Sequence, residues 1–317
     1  MSVRNNVIEQ IASVKARMHS QLPRYEMPSR MTSIKLAFKD SDKKNGELLR
    51  YYPVALIATL ESYFRLAIAN LIDSGSPWLE NSAEIMARTK IEFDVVRAFH
   101  GKLITIGEYV GATVSITNIA GLNATMSALL ATDYLTALST TIDRWAAQGA
   151  KDKVAPIITD PDATYRNVEK TFELRHIFCH EAATGQKVTT DEIAACIEHT
   201  ALFLKASEEL ISDTIHPNAP LTQADMNIYS YKQAMERRAE LDLAEKELIQ
   251  SLNDEQRGEY AQIQQLWEQL RNASVGFEGA QYKGGSIQPL IHNLASKRMT
   301  EDRIEQVRRL VESFKHH

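Results

Sequence analysis

The stretch GELLRYYPVALIATLESYFRLAIANLID, residues 46–73, does most to restrict the fold. Its apolar residues recur at helical spacing, and Leu56, Leu60, Tyr63, Phe64, Ala67, Ile68 and Leu71 share one broad face. A helix with so wide an apolar face is stable only when other helices cover it. The rest of the chain supplies them. The pattern predicts an amphipathic helix over residues 5–19, broken by the two prolines of PRYEMPSRM. Further helices are expected near 81–98, over 124–147, from a cap at Asp162 or Thr164 to about Ala183, and over 191–213 after Thr190 or Asp191. GATVSITNIAGLN reads as a turn or a short extended piece, Lys151–Pro161 as a loop, and TGQ as a stop. No segment carries a strand pattern, so the expected class is all-α.

The segment IHPNAPLTQ, residues 215–223, holds two prolines and little apolar content, which makes it the expected boundary between residues 1–214 and 215–317. Beyond it, residues 222–270 are rich in Glu, Gln, Lys and Arg and read as long, largely exposed helices. A Gly-rich break at YKGGSIQP precedes a last helix over about 301–314. The charges at 236–247 read as a solvated face with i,i+4 pairs, and Trp267, Phe277 and Tyr282 as core residues.

A net charge of −5 excludes a global basic field for holding a duplex; contact with nucleic acid would be local and small. Two cysteines, Cys179 and Cys196, make no disulfide framework and suit a reducing compartment. The opening MSVRNNVIEQIASVKARM lacks the apolar core of a signal peptide, and no apolar run is read as approaching membrane-spanning length. The expectation is a cytoplasmic protein without a membrane partner.

The densest chemistry lies in FELRHIFCHE, residues 172–181. Metal-free RNA cleavage needs a base for the ribose 2′-hydroxyl, an acid for the leaving 5′-oxygen, and a cation for the charge on the phosphorane. Histidine suits either proton-transfer role, and arginine grips two phosphate oxygens at once. Arg175 and His180 stand five residues apart, so they diverge by about 140° around one helix. His176 and His180, four apart, share a face. Two other readings stand beside this one. His-x3-His can supply two zinc ligands, but Glu173 and Glu181 form no motif for a third. Alternatively, these are polar helix residues satisfied at an interface.

The wider context resembles the HEPN superfamily of helical domains, which carries an R-x4-6-H motif. Here the motif is Arg175-His176-x3-His180, preceded by Phe172 and Leu174. LESYFRLAIANLI, residues 60–72, resembles the first core helix of several HEPN groups, where an acid such as Glu61 recurs, and VSITNI, residues 114–119, resembles their middle. The resemblance covers about residues 45–212. It implies an all-α bundle that often dimerises, so that two motifs build one composite site. It also implies metal-independent endoribonuclease activity without a cofactor, in toxin, abortive-infection or antiphage systems, or else a non-catalytic scaffold that binds RNA or protein. On the catalytic reading the partner is a short single-stranded RNA segment and a second copy of the chain. His180 acts as base or acid, Arg175 binds the phosphate, His176 orients the pair or shares proton transfer, and Glu61 holds Arg or His in place. Some HEPN toxins have a modified Tyr two residues after the His; Ala182 stands there.

The last third resembles the small helical domain named after the lysozyme inhibitor LprI. The matching features are TQADMN at 222–227, Trp267 before Arg271-Asn272-Ala273, the GGS turn at 284–286 followed by Pro289, and Thr300-x-x-Arg303. The family is mostly exported and carries cysteines where this chain has Tyr229, Val275 and Ala295. That loss suits a reducing compartment. The resemblance implies a reused module for partner recognition, sensing or oligomerisation, including contact with an antitoxin or sensor partner.

Overall fold

The computed structural model describes residues 5–17, 23–87, 91–148, 150, 152–181 and 185–315. The chain forms two compact units, Met1–Pro217 and Asn218–His317. Fourteen α-helices and no strand occur among the described residues, so the protein is all-α.

The first unit is built around α3, Gly46–Asp73. Asn45 caps its N-terminus by accepting from the Leu48 N–H, and Glu47 sits in the first turn where the helix dipole favours an acid. Leu56, Leu60, Phe64, Ile68 and Leu71 are fully buried. Phe64 lies at the centre of an aromatic cluster, with its ring centroid 4.9 Å from Tyr63, 6.2 Å from Tyr134 and 6.1 Å from Phe203. By length and composition α3 could cross a membrane, which corrects the reading that no apolar run approaches that length; 67% of its apolar window is nonetheless buried inside the protein, as in a core helix.

The helices α1 (Asn5–Arg17) and α2 (Pro23–Asp40) precede it. The prolines expected to break the chain lie inside α2. Pro23 opens the helix, where its missing N–H costs nothing, and Pro28 is carried because Met27, Met31 and Ile34 bury their side chains in the core. The helix expected over 81–98 is two, α4 (Trp78–Met86) and α5 (Phe93–His100). The stretch read as turn or extended contributes to α6 (Ile106–Thr113) and, after Asn118, to α7 (Ile119–Leu130). α6 packs backbone to backbone on α3: a Cβ at Gly107 would lie 2.3 Å from the Ala69 carbonyl oxygen, and one at Gly111 2.4 Å from that of Arg65. Only glycine permits so close an approach.

The helix expected over 124–147 is likewise interrupted. Ala131 adopts a left-handed conformation at the end of α7, Asp133 caps α8 (Tyr134–Thr140), and α9 spans Arg144–Gln148. The motif helix α10 runs Pro161–His180, capped by Asp160 with Pro161 in its first turn, two residues or more before the expected caps. Ala182 and the expected end at Ala183 lie outside the described residues.

α11, Thr190–Ile215, starts with a reciprocal capping box between Thr189 and Glu192. Glu192 is also paired with Lys170 of α10, and the Thr189 N–H donates to it at 2.9 Å. The bond from Lys170 and that from the Thr189 backbone hold its carboxyl down at about 2, against an ordinary 4.5. A lowered folded-state value means that this contribution to stability is present above pH 4.5 and lost as the pH falls toward 2. Glu192→Gln is therefore expected to flatten the acid limb of the stability–pH curve in that window, measured by urea denaturation at successive pH values. An acid limb unchanged from wild type would contradict this.

The second unit comprises α12 (Gln223–Ser251), α13 (Asp254–Ala280) and α14 (Gln288–Lys315). α14 begins thirteen residues before the expected start, because Pro289 falls in its first turn, where proline is tolerated. Leu241, Leu248, Tyr260, Ile304 and Val307 form its core, with Trp267 packed against them. Phe277 is 77% exposed and Tyr282 40%, so these two are not core residues; their helix and turn place them outside the seam with α14.

Candidate functional site

The motif occupies the last turns of α10. Phe172 and Leu174 are buried and fix the rotation of the helix against the core. The first turn of α7 is tied to the same helix, because the Ile119 N–H donates to Glu169 at 3.0 Å. With that rotation set, Arg175 turns toward α3 and its Nη2 lies 3.6 Å from Oε1 of Glu61, both side chains being partly buried. This is an ion pair slightly longer than a hydrogen bond. His176 and His180 are exposed, with ring centroids 5.2 Å apart. His176 Nε2 also lies 3.8 Å from Glu181.

The structure therefore brings Glu61 to Arg175 and His176 to His180. Arg175 and His180 leave the helix in different directions, as their five-residue spacing requires. Neither is buried. A guanidinium steadied by a carboxylate can bind an oxyanion, and two exposed imidazoles elsewhere on the same turns can exchange protons.

No group of three or more His, Cys, Asp or Glu residues that could hold a metal ion occurs among the described residues. Cys179 is exposed. Cys196, on α11, is buried, and burial pushes its thiol up. A separate cavity between α1, α3 and α6 is lined by Lys15, Arg17, Arg65 and Glu108 among others, with Lys15 and Glu108 paired at 2.6 Å; no motif residue lines it.

Sequence reasoning missed Arg50, whose guanidinium lies over the Phe178 ring of the motif helix at 5.7 Å and donates to the Gln186 carbonyl at 3.1 Å. It sits on α3 in an ordinary helical pattern, and only the packing of α3 beside α10 brings it to the motif.

In the second unit the motif residues do structural work. Thr222 caps α12 by accepting from the Asp225 N–H, and Asn227 donates to the Ser286 carbonyl at 3.0 Å, tying the helix start to the GGS turn. Asn293 donates to Asn227 and Ser230, closing the same corner from α14. Gly284 has φ +77°, which explains the glycine there. Arg303 is buried, lies over the rings of Tyr260 and Trp267 at 5.8 and 5.7 Å, and donates to Gln306 and Gln264. Beside it, burial pushes the Glu245 carboxyl up.

A family model described as Lysozyme inhibitor LprI matches residues 216–307. The C-terminal part of the chain is thus LprI-like. No curated protein and no solved structure matches the chain.

Proposed function

We propose that this protein is a metal-independent endoribonuclease of the HEPN type, serving toxin, abortive-infection or antiphage defence in the cytoplasm, with the LprI-like part as an accessory module for sensing or partner binding. The observation that carries the reading is the end of α10, where Arg175 rests on Glu61 at 3.6 Å and His176 and His180 lie side by side and exposed. In this mechanism His180 exchanges the proton of the ribose 2′-hydroxyl or the leaving 5′-oxygen. Arg175 holds the scissile phosphate, Glu61 holds Arg175, and His176 orients or shares the proton transfer. Because Arg175 and His180 diverge on one helix, a two-fold pair of chains would bring two of each into one cleft for a short single-stranded RNA.

The test is RNA cleavage in the presence of EDTA. Wild type is expected to leave 2′,3′-cyclic phosphate ends. Arg175→Lys is expected to lose nearly as much rate as Arg175→Ala, because lysine keeps the charge but not the two-pronged grip. Strict dependence on an added divalent metal would rule the mechanism out. A non-catalytic HEPN bundle that dimerises and binds RNA or protein is the second reading, favoured by Arg175 being paired within its own chain to Glu61; it predicts RNA retention without cleavage.

A further inference from the structure

The helix α13 presents two faces with different chemistry. Tyr260, Gln264, Trp267 and Arg271, spaced 4, 3 and 4 residues apart, run along the face that meets the rest of the unit. Trp267 packs against the core, and Gln264 accepts from Arg303 of α14. A second row, Ile263, Leu266, Leu270 and Phe277, is 51%, 65%, 60% and 77% exposed. Its members stand 3, 4 and 7 residues apart, with the small Ala273 at the intervening position. That is the a/d spacing of a coiled-coil seam, and in water it favours a second helix laid along it.

The chemistry of the rim selects the occupant. The positions that flank a coiled-coil seam are held by Gln262, Trp267, Gln269, Ser274 and Gly276, none of them charged, in a chain that is 24% charged. The nearby charges are taken up elsewhere: Glu268 pairs with Arg238 of α12 and with Arg271. A partner recognised by charge would find no handle on this rim, whereas a helix with the same neutral rim meets it without repulsion. The four exposed side chains offer on the order of 500 Å² of apolar surface, near the upper end of what a monomer leaves bare in one patch. With the rim added, the seam approaches the roughly 800 Å² per partner of a stable complex. A two-fold axis midway between Leu266 and Leu270 sets Leu266 of one copy against Leu270 of the other and Ile263 against Ala273, so the centre of the row is complementary to itself when antiparallel.

We infer that α13 is a homodimerisation seam, paired antiparallel with α13 of a second copy of this chain about the step from Leu266 to Leu270. The inference stands independently of the ribonuclease reading, since it uses no residue of the α10 motif.

The full-length chain tests it. Cys179 is exposed, so cross-linking is done in a Cys179→Ser background. A mixture of Leu266→Cys and Leu270→Cys chains in that background is expected to form a covalent dimer under mild oxidation at least tenfold faster than Leu243→Cys, which alters a similarly exposed leucine of α12. Leu266→Glu with Leu270→Glu is expected to convert the sedimenting dimer to monomer without loss of helical circular dichroism. Equal cross-linking by the mixture and by Leu243→Cys overturns the inference. So does a dimer that survives both charges, which would place dimerisation elsewhere. A wild-type monomer at tens of micromolar overturns it too, and protection of Leu270→Cys from a maleimide in that monomer would identify another part of the same chain as the cover.

Discussion

His180→Ala is expected to lower RNA cleavage by about 10²- to 10⁴-fold, the range of positioned acid–base catalysis, while leaving melting temperature and helical content at wild-type values. The two halves of this expectation come from different observations. The activity loss follows from His180 being the exposed imidazole at the end of α10, next to His176. The absence of a stability effect follows from the same exposure, because surface substitutions away from special features usually change stability by no more than about 0.5 kcal/mol. Glu61→Gln should behave differently. It keeps shape but removes the charge 3.6 Å from Arg175, so it should weaken phosphate binding and raise KM more than it lowers kcat. Assay of both variants on one RNA, with circular dichroism alongside, separates the roles. A folded His180→Ala protein that cleaves at the wild-type rate would falsify the assignment.

The extent of α3 was legible end to end. Its apolar face and the SGSPW stop after Asp73 point the same way, and the Asn45 cap seen in the structure agrees with them. The all-α class followed from helical spacing along the chain and the absence of any strand pattern. Where the two preferences diverge, reading from residues alone went astray. Pro28 looks like a breaker, yet Met27 and Met31 on either side of it find a core to enter. Phe277 looks like a core residue, yet nothing local says which face of α13 the rest of the unit will cover. The residue types of the α10 motif were legible; the 3.6 Å approach of Arg175 to Glu61 was not, since it depends on how α10 lies against a helix more than a hundred residues earlier. In the second unit the Thr-x-x-Asp start of α12 carries its own signal as an N-terminal cap, whereas the bond from Asn227 to Ser286 needs the whole chain between them.

Phe64→Ala is expected to destabilise the first unit by about 3–5 kcal/mol, the usual cost of truncating a fully buried phenylalanine. The ring is completely shielded from solvent and touches Tyr63, Tyr134 and Phe203, which come from α3, α8 and α11. Three helices therefore lose contact with one another at once. The hole cannot close easily, because Tyr134 is itself anchored by donating its hydroxyl to Ser207 at 2.6 Å. For a unit of this size the loss corresponds to a melting point lower by about 6–20 °C. Phe93→Ala is the matched control: the same deletion at a side chain 75% exposed should change stability by less than about 0.5 kcal/mol. The consequence extends to the motif. Phe64 stands one turn after Glu61 on α3, so a loosened α3 also loosens the carboxylate that steadies Arg175. RNA cleavage by Phe64→Ala should fall with temperature in step with its unfolding curve, well below the temperature at which wild type loses activity. A thermal midpoint within 2 °C of wild type, read by circular dichroism on the full chain, would mean that this aromatic cluster is not the keystone of the first unit.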